Sequence, residues 1–454
     1  MKKQREQENV RNLALNTLLK IEKEGAYSNL LVNQVLKTAK LPLTDKGLFT
    51  ELVYGTLQRK STLDEILSEY IQMNKTALWL LMLLRLSLYQ VLFLDRVPEH
   101  AVVHEAVEIA KQRSKGRLGS FVNGVLRNII RNKEKILLVS GSFAKQLSFQ
   151  TAHPFWMISY FKDNFGEEEA QKICEANLIP PKQTIRLNPL RTTRENLIRK
   201  MKEEGFTITP SDFLKECFIN KQGNLALSQA FETGLFSIQD GSSMLVAYAS
   251  DPKEGMKVLD CCGAPGGKTA HLAERMNGTG MVVSQDIHPH KVRLIQKNAK
   301  RLGLKNIVAQ LGDAKCLTEQ HPLKSFDIVL VDAPCSGLGV IRRKPEIKDE
   351  KTMEDLFRLQ EIQQQILQSA AKLVKDGGRL IYSTCTIGAI ENQNVIQHFL
   401  LQNPNFTRDS SLHARIPTGI LNKRVQEEGE LLILPHDFNS DGFYICALVK
   451  ERIK

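Results

Sequence analysis

Apolar residues recur at three- and four-residue spacing through the first third of the chain. Val10, Leu13, Ala14, Leu18 and Ile21 line one face of a helix predicted over Val10–Glu24. The same spacing predicts helices at Ser28–Thr38, Lys46–Gln58, Thr62–Tyr70, Ala77–Leu94 and Glu99–Arg113, with Pro42 and Pro98 in the connections. Residues 1–140 therefore read as an all-helical domain. From 141 to 230 the pattern is mixed. Thr184–Leu187 reads as a strand, Thr193–Glu204 as a helix with Thr193 at its N-cap, and Phe206–Ile208 and Phe218–Ile219 as further strands of a small α+β module. From 231 to 454 strands and helices alternate, the mark of an open parallel sheet. Strands are predicted at Lys257–Asp260, Met281–Gln285, Ile307–Leu311, Phe326–Val331 and Arg379–Ser383. Helices are predicted at Lys268–Arg275, Pro289–Leu302, Met353–Leu373 and Glu391–Leu401. Leu431–Leu434 and Phe443–Val449 close the pattern as an antiparallel hairpin, completing a seven-stranded, Rossmann-like α/β domain.

The 18 residues Ala77–Leu94 could be misread as a membrane span. Arg85, Ser87 and Gln90 would be costly at mid-membrane, so the segment reads as a buried helix and no membrane association is expected. Composition agrees. The chain has 454 residues, 42% hydrophobic and 25% charged, enough for a sizeable core without disulfides. Its net charge of +12 favours an anionic partner. Residues 1–140 hold 22 Lys and Arg against 14 Asp and Glu, so most of that excess lies in the helical third. Lys111, Arg113, Lys115 and Arg117 make a dense basic run, readable as a solvated surface or as a phosphate-contacting patch. None of the eight cysteines has C-x-x-C spacing, which leaves a zinc site without support and no metal is expected. The first residues are polar, with no secretory apolar stretch behind them, so reduced thiols in a cytoplasm are expected.

The candidate chemistry lies in the last domain. The strand Lys257–Asp260 runs into Cys262-Gly263-Ala264-Pro265-Gly266-Gly267-Lys268-Thr269, a glycine-rich turn that lets a ligand approach the backbone. It is not the dinucleotide fingerprint. It fails as a P-loop too, because the required earlier glycine falls at Cys262. Asp286 ends the next strand, 19 residues after Gly267, a spacing that suits a carboxylate accepting from ribose hydroxyls. Asp313 follows the third strand, where it could accept from an adenine amine, and Asp332 ends the fourth. With Asp260, acidic residues at successive strand ends line the crevice where open α/β sheets bind ligands. Two cysteines join them: Cys335 in Asp332-Ala333-Pro334-Cys335-Ser336-Gly337, and Cys385 in Ser383-Thr384-Cys385-Thr386. Cytosine C5 is a poor nucleophile. A thiolate added at C6 turns C5 into an enamine carbon able to attack a sulfonium methyl. Such chemistry needs a thiol with a depressed pKa, a donor near N3 and a base for the C5 proton. Asp332, if protonated during addition, could serve N3, and the second cysteine could help release the adduct.

These three motifs resemble the RNA cytosine-5 methyltransferase family. The stretch from Gly337 to Lys348 resembles its bacterial RsmB (Sun/Fmu) branch, which carries an N-terminal helical domain similar to the antitermination factor NusB. The resemblance covers nearly the whole chain and is looser in the helical third. It implies an RRM-like middle module and S-adenosylmethionine held by Cys262, Gly263, Ala264, Pro265, Gly266, Gly267, Lys268, Asp286, Asp313 and Asp332. It implies Cys385 as nucleophile and Cys335 in product release. It also implies a cytoplasmic monomer acting on 16S ribosomal RNA, with cytosine 967 as the branch's target. Two departures are visible: Gly263 where the family commonly has Ala, and Gln393 after Glu391-Asn392 where a second Glu is frequent. A DNA cytosine methyltransferase is the alternative within enzymes. Such enzymes use the cysteine of a Pro-Cys pair, like Pro334-Cys335, as nucleophile, and the additional Thr384-Cys385 argues against that reading. A non-catalytic RNA-binding factor is the alternative outside enzymes, against which the intact motifs weigh.

Overall fold

The computed structural model describes residues 9–24, 28–39, 41–421 and 427–452; the polar segment 1–8 lies outside them. The chain forms two units. One comprises residues 1–179 together with 341–350, and the other residues 180–340 and 351–454.

Among its described residues the first unit has helices and connecting turns but no strand. Its helices are Val10–Glu24, Ser28–Thr38, Leu43–Gln58, Lys60–Ser68, Leu78–Phe93, Glu99–Ser114, Gly119–Arg131, Lys133–Leu137, Phe143–Thr151, Phe155–Phe165, Glu167–Leu178 and Ile347–Glu350. Leu78–Phe93 is the central one, buried at every position from Leu80 to Val91. Its polar side chains find partners inside the protein, though Arg85 Nη1 is left without a hydrogen bond among the described residues. The Arg85 guanidinium donates twice to the Asp64 carboxylate, at 2.6 and 2.7 Å, and Ser87 and Gln90 donate to carbonyls one turn back. Among the described residues no helix is long and apolar enough to cross a membrane.

Three helices between Phe143 and Leu178 stand where the sequence suggested a mixed module. They are short, and only Ala152-His153-Pro154 and Gly166 separate them, so none offers a periodic run long enough to read. The ten-residue segment 341–350 also folds into this unit. Ser28 Oγ donates to Glu346 Oε2 at 3.0 Å, and the buried Lys348 ammonium donates to the carbonyls of Gln58 and Thr151.

The second unit holds two sheets. The smaller has four antiparallel strands in the order β2-β3-β1-β4: β1 Thr184–Leu187, β2 Ile208–Pro210, β3 Cys217–Asn220 and β4 Phe236–Ile238. The helix Arg194–Glu203 covers it, with the Thr193 hydroxyl accepting from Asn196 N at its N-cap. Ile185, Leu197, Phe218 and Phe236 form the core.

The larger sheet has eight strands. They are β5 Lys257–Asp260, β6 Met281–Asp286, β7 Ile307–Leu311, β8 Phe326–Asp332, β9 Val374–Thr384, β10 Phe406–Arg408, β11 Glu430–Ile433 and β12 Phe443–Lys450. The order is β10-β12-β9-β8-β5-β6-β7, with β11 pairing β12. The seven strands expected are thus joined by one more, the short edge strand β10. Strands β5 to β9 are parallel, whereas β12 runs antiparallel to β9, β10 and β11. The apolar runs Val258-Leu259 and Ile328–Val331 are fully buried, as strands covered on both faces require. The chain winds from β5 out to β7, then returns to β8 on the other side of β5. That reversal opens a crevice at the carboxyl ends of β5 and β8.

Candidate active site

After β5 the chain turns sharply to start the helix Gly267–Arg275. Gly266 has φ +100°, a left-handed conformation that glycine adopts without strain. Gly263 N–H donates to the Gln285 carbonyl at 2.9 Å, so the turn is held against β6. A Cβ at Gly263 would lie 1.9 Å from Ser284 Oγ. Gly263 and Ser284 are therefore a matched pair, and alanine at 263 would require Ser284 to move. A Cβ at Gly267, by contrast, would meet nothing within 4 Å, so the mouth of the turn is open.

Asp260 lies fully buried beneath the turn. Its Oδ2 accepts from the Thr269 hydroxyl at 2.6 Å, while Oδ1 has no protein partner. Burial pushes its pKa up to about 7; the Thr269 hydrogen bond opposes that and the Asp332 charge adds to it. Asp286 Oδ1 accepts from His288 N–H at 3.0 Å, with Lys291 Nζ 3.8 Å from Oδ2. Asp313 Oδ1 accepts from Lys315 N–H at 2.9 Å, capping the turn after β7. Gln285 Nε2 is buried and unpartnered beside Gly312. An open glycine cradle, an orphaned carboxylate oxygen, an orphaned amide and carboxylates at successive strand ends together fit a nucleoside-bearing ligand.

Asp332 links this cradle to the thiols. Its Oδ2 accepts from Lys268 Nζ at 2.7 Å, and its Oδ1 accepts from the Ser383 hydroxyl at 2.8 Å. Burial works against the Lys268 charge, but the adjacent Asp332 carboxylate outweighs it and the pKa is raised, with Cys385 contributing in the same sense. The Lys268 ammonium is thus within electrostatic reach of the Cys385 sulfur. Asp332 and Ser383 are register partners on the parallel pair β8 and β9, so the loops that follow them leave the sheet side by side. This brings the Cys335 and Cys385 sulfurs to 3.3 Å. The Cys335 pKa is raised well above the thiol range, first by its hydrogen bond to Cys385, then by burial and by the charges of Cys385, Glu391 and Asp332. These influences all favour the protonated form of Cys335.

Every cofactor-binding or catalytic candidate from the sequence lies at the carboxyl edge of β5 to β9. The turn 262–268, Asp332 and the two cysteines are joined through the Lys268–Asp332 pair, and Asp286 and Asp313 stand further along, toward β7. Sequence reasoning missed the polar groups behind the cysteines: Ser336, Gln363, Thr384, Thr386, Glu391 and Asn392. Their signal was weak, a Glu-Asn pair ahead of a helix. Among the described residues no group of His, Cys, Asp and Glu could hold a metal ion.

Family models match three stretches of the chain: the NusB family over residues 8–131, the RsmF/B-like ferredoxin-like domain over 153–224, and 16S rRNA methyltransferase RsmB/F over 247–449. A probable ribosomal RNA small subunit methyltransferase B of Bacillus subtilis (strain 168) is 47% identical over 443 residues, covering 97% of this chain and 99% of its own. A protein of the same description from Synechocystis is 32% identical over 444 residues, with 97% and 99% covered. The solved structure of PH0851 superposes with a TM-score of 0.83 at 25% identity, over 97% of this chain and 98% of its own.

Proposed function

Because the chain belongs to the RsmB/F family of 16S rRNA methyltransferases, we propose that it methylates C5 of a cytosine in 16S ribosomal RNA through a covalent adduct of Cys385 with C6. The observation that carries this reading is the pair of thiols 3.3 Å apart at the ends of adjacent strands, beside the Lys268–Asp332 ion pair. S-adenosylmethionine supplies the methyl group as an electrophile. Cys262, Gly263, Ala264, Pro265, Gly266, Gly267 and Lys268 would hold it, with Asp286 for the ribose hydroxyls, Asp313 for the adenine amine, and Asp332 completing the set.

The chain's own groups carry the remaining chemistry. The Lys268 ammonium favours the Cys385 thiolate, which adds to C6. Asp332, protonated for the addition, gives its proton to N3 as the electron pair arrives there and recovers it when the methyl group is transferred, with the Lys268 ammonium beside it. Once C5 carries the methyl group, loss of the C5 proton to water returns an electron pair that expels Cys385 as thiolate. Cys335, protonated and in hydrogen-bond contact with Cys385, assists that departure. The basic helical domain, residues 1–140, contributes RNA affinity, and the module over 141–230 precedes the methyltransferase domain of 231–454. The target within the RNA is the branch's cytosine 967.

Bisulfite sequencing of 16S ribosomal RNA from a deletion strain tests this reading. One cytosine should lose its protection and regain it with the restored gene. An unchanged protection pattern would refute the reading. Activity on duplex DNA but not on single-stranded RNA would favour a DNA enzyme instead.

A further inference from the structure

The loop between β9 and the helix Gln393–Gln402 ends in Glu391-Asn392, which have no part in the scheme above and are buried to 1% and 0% exposure. The Glu391 carboxylate accepts from the Ser336 backbone N–H at 2.8 Å, from the Ser336 hydroxyl and from Gln363 Nε2 at 3.0 Å. Gln363 Nε2 also donates to the Pro334 carbonyl at 2.9 Å. The residues on either side of Cys335 are thereby tied to one carboxylate. Asn392 does the same for Cys385. Its Oδ1 accepts from the Thr384 hydroxyl at 2.6 Å, and its Nδ2 donates to the Thr386 carbonyl at 3.3 Å and the Gly388 carbonyl at 2.9 Å. Ser336 and Thr386 hydroxyls, 2.8 Å apart, join the two arms. The dipeptide is itself fixed by the Tyr382 hydroxyl, which donates to the Glu391 carbonyl at 2.6 Å.

We infer that Glu391 and Asn392 are positioning residues that hold the two cysteine loops in register, Glu391 acting on Cys335 and Asn392 on Cys385. The inference rests on the covalent reading above. A carboxylate is a stronger acceptor than a neutral group, which matters where one side chain must hold three donors. Charge has a second use. Burial raises the Glu391 pKa while its donors oppose the rise, and its charge raises that of Cys335, favouring the protonated state a release group needs.

The two arms predict two different failures. Neither residue touches the turn 262–268, Asp286 or Asp313, so affinity for S-adenosylmethionine should be unchanged in both variants and reports their folding. Glu391→Ala misplaces Cys335. Turnover should fall ~10- to 100-fold, the scale of a misplacement near 1 Å, and an adduct with unmodified RNA should accumulate on denaturing gels. Glu391→Gln keeps the volume but not the charge and should accumulate adduct to a smaller extent. Asn392→Ala misplaces Cys385. It should slow adduct formation with RNA carrying 5-fluorocytosine, whose fluorine blocks elimination, and it should accumulate nothing with unmodified RNA. Turnover like the unaltered protein in either alanine variant, or the same defect in both, overturns the inference. If the unaltered protein forms no adduct with 5-fluorocytosine RNA, the covalent reading falls and takes the inference with it.

Discussion

Replacing Arg186 by Met should destabilise the second unit by about 3–5 kcal/mol, because it leaves a buried carboxylate without its counter-charge. Arg186 lies on β1 and Glu274 on the helix that follows the cofactor turn. Their side chains are 0% and 1% exposed. The pairing is bidentate, with Nε and Nη2 each 3.0 Å from a carboxylate oxygen. Arg186 Nη1 also donates to the Gly267 carbonyl at 3.1 Å, in the first turn of that helix. Burial raises the Glu274 pKa, and the Arg186 charge is the leading opposing influence. Without Arg186 the carboxyl must remain charged and unpaired or take a proton. The folded chain would then bind more protons than the unfolded chain above the normal Glu range, so the loss should be larger at pH 8 than at pH 5. The double variant Arg186→Met with Glu274→Met removes both desolvation penalties and should recover most of the loss. Both tryptophans, Trp79 and Trp156, lie in the first unit, so fluorescence would miss the effect. Amide exchange of β5 and β8 in increasing urea reads it directly. A single-variant loss below ~1 kcal/mol, or a double variant as unstable as the sum of its parts, would refute the reasoning.

Asp286→Ala should weaken S-adenosylmethionine binding by roughly 1–3 kcal/mol, the loss of a charge-assisted hydrogen bond; unchanged affinity by titration calorimetry would show that another group holds the ribose. Burial lowers the Lys348 pKa from 10.5 to about 7 against the pull of Asp349. The folded chain therefore binds fewer protons across that window and its stability rises with pH there, so Lys348→Met should flatten the climb of the thermal midpoint between pH 7 and pH 9. Lys115 and Arg117 are exposed beside the end of the helix Glu99–Ser114; replacing both by Ala should weaken RNA binding and lower the salt slope by up to ~1.8, and an unchanged slope would remove phosphate contact as their role.

The parallel sheet was legible because its elements are long and locally punctuated. The helix Pro289–Leu302 has proline at its start and Gly303 in a left-handed cap at its end, and both limits could be read from the chain. The candidate site motifs could be placed together because their cysteines and carboxylates sit at strand ends, where topology alone makes them neighbours. What stayed hidden depends on contacts distant in sequence. Nothing near residue 346 announces that its carboxylate meets Ser28, or that Lys348 meets the carbonyls of Gln58 and Thr151. Strand β4 was also hidden, since three residues carry no periodicity and only its pairing with β1 defines it. Glu391 gave only a weak signal, a Glu-Asn pair ahead of a helix, because its partner Ser336 lies 55 residues away.

The division of labour between the two cysteines is tested most directly by denaturing electrophoresis of each variant after incubation with substrate RNA and S-adenosylmethionine. Cys385→Ala should give neither methylated product nor adduct, because the first bond cannot form. Cys335→Ala should permit addition and methyl transfer but stall at release, leaving a protein–RNA adduct that survives denaturation. An adduct with Cys385→Ala and none with Cys335→Ala would reverse the roles and contradict the scheme.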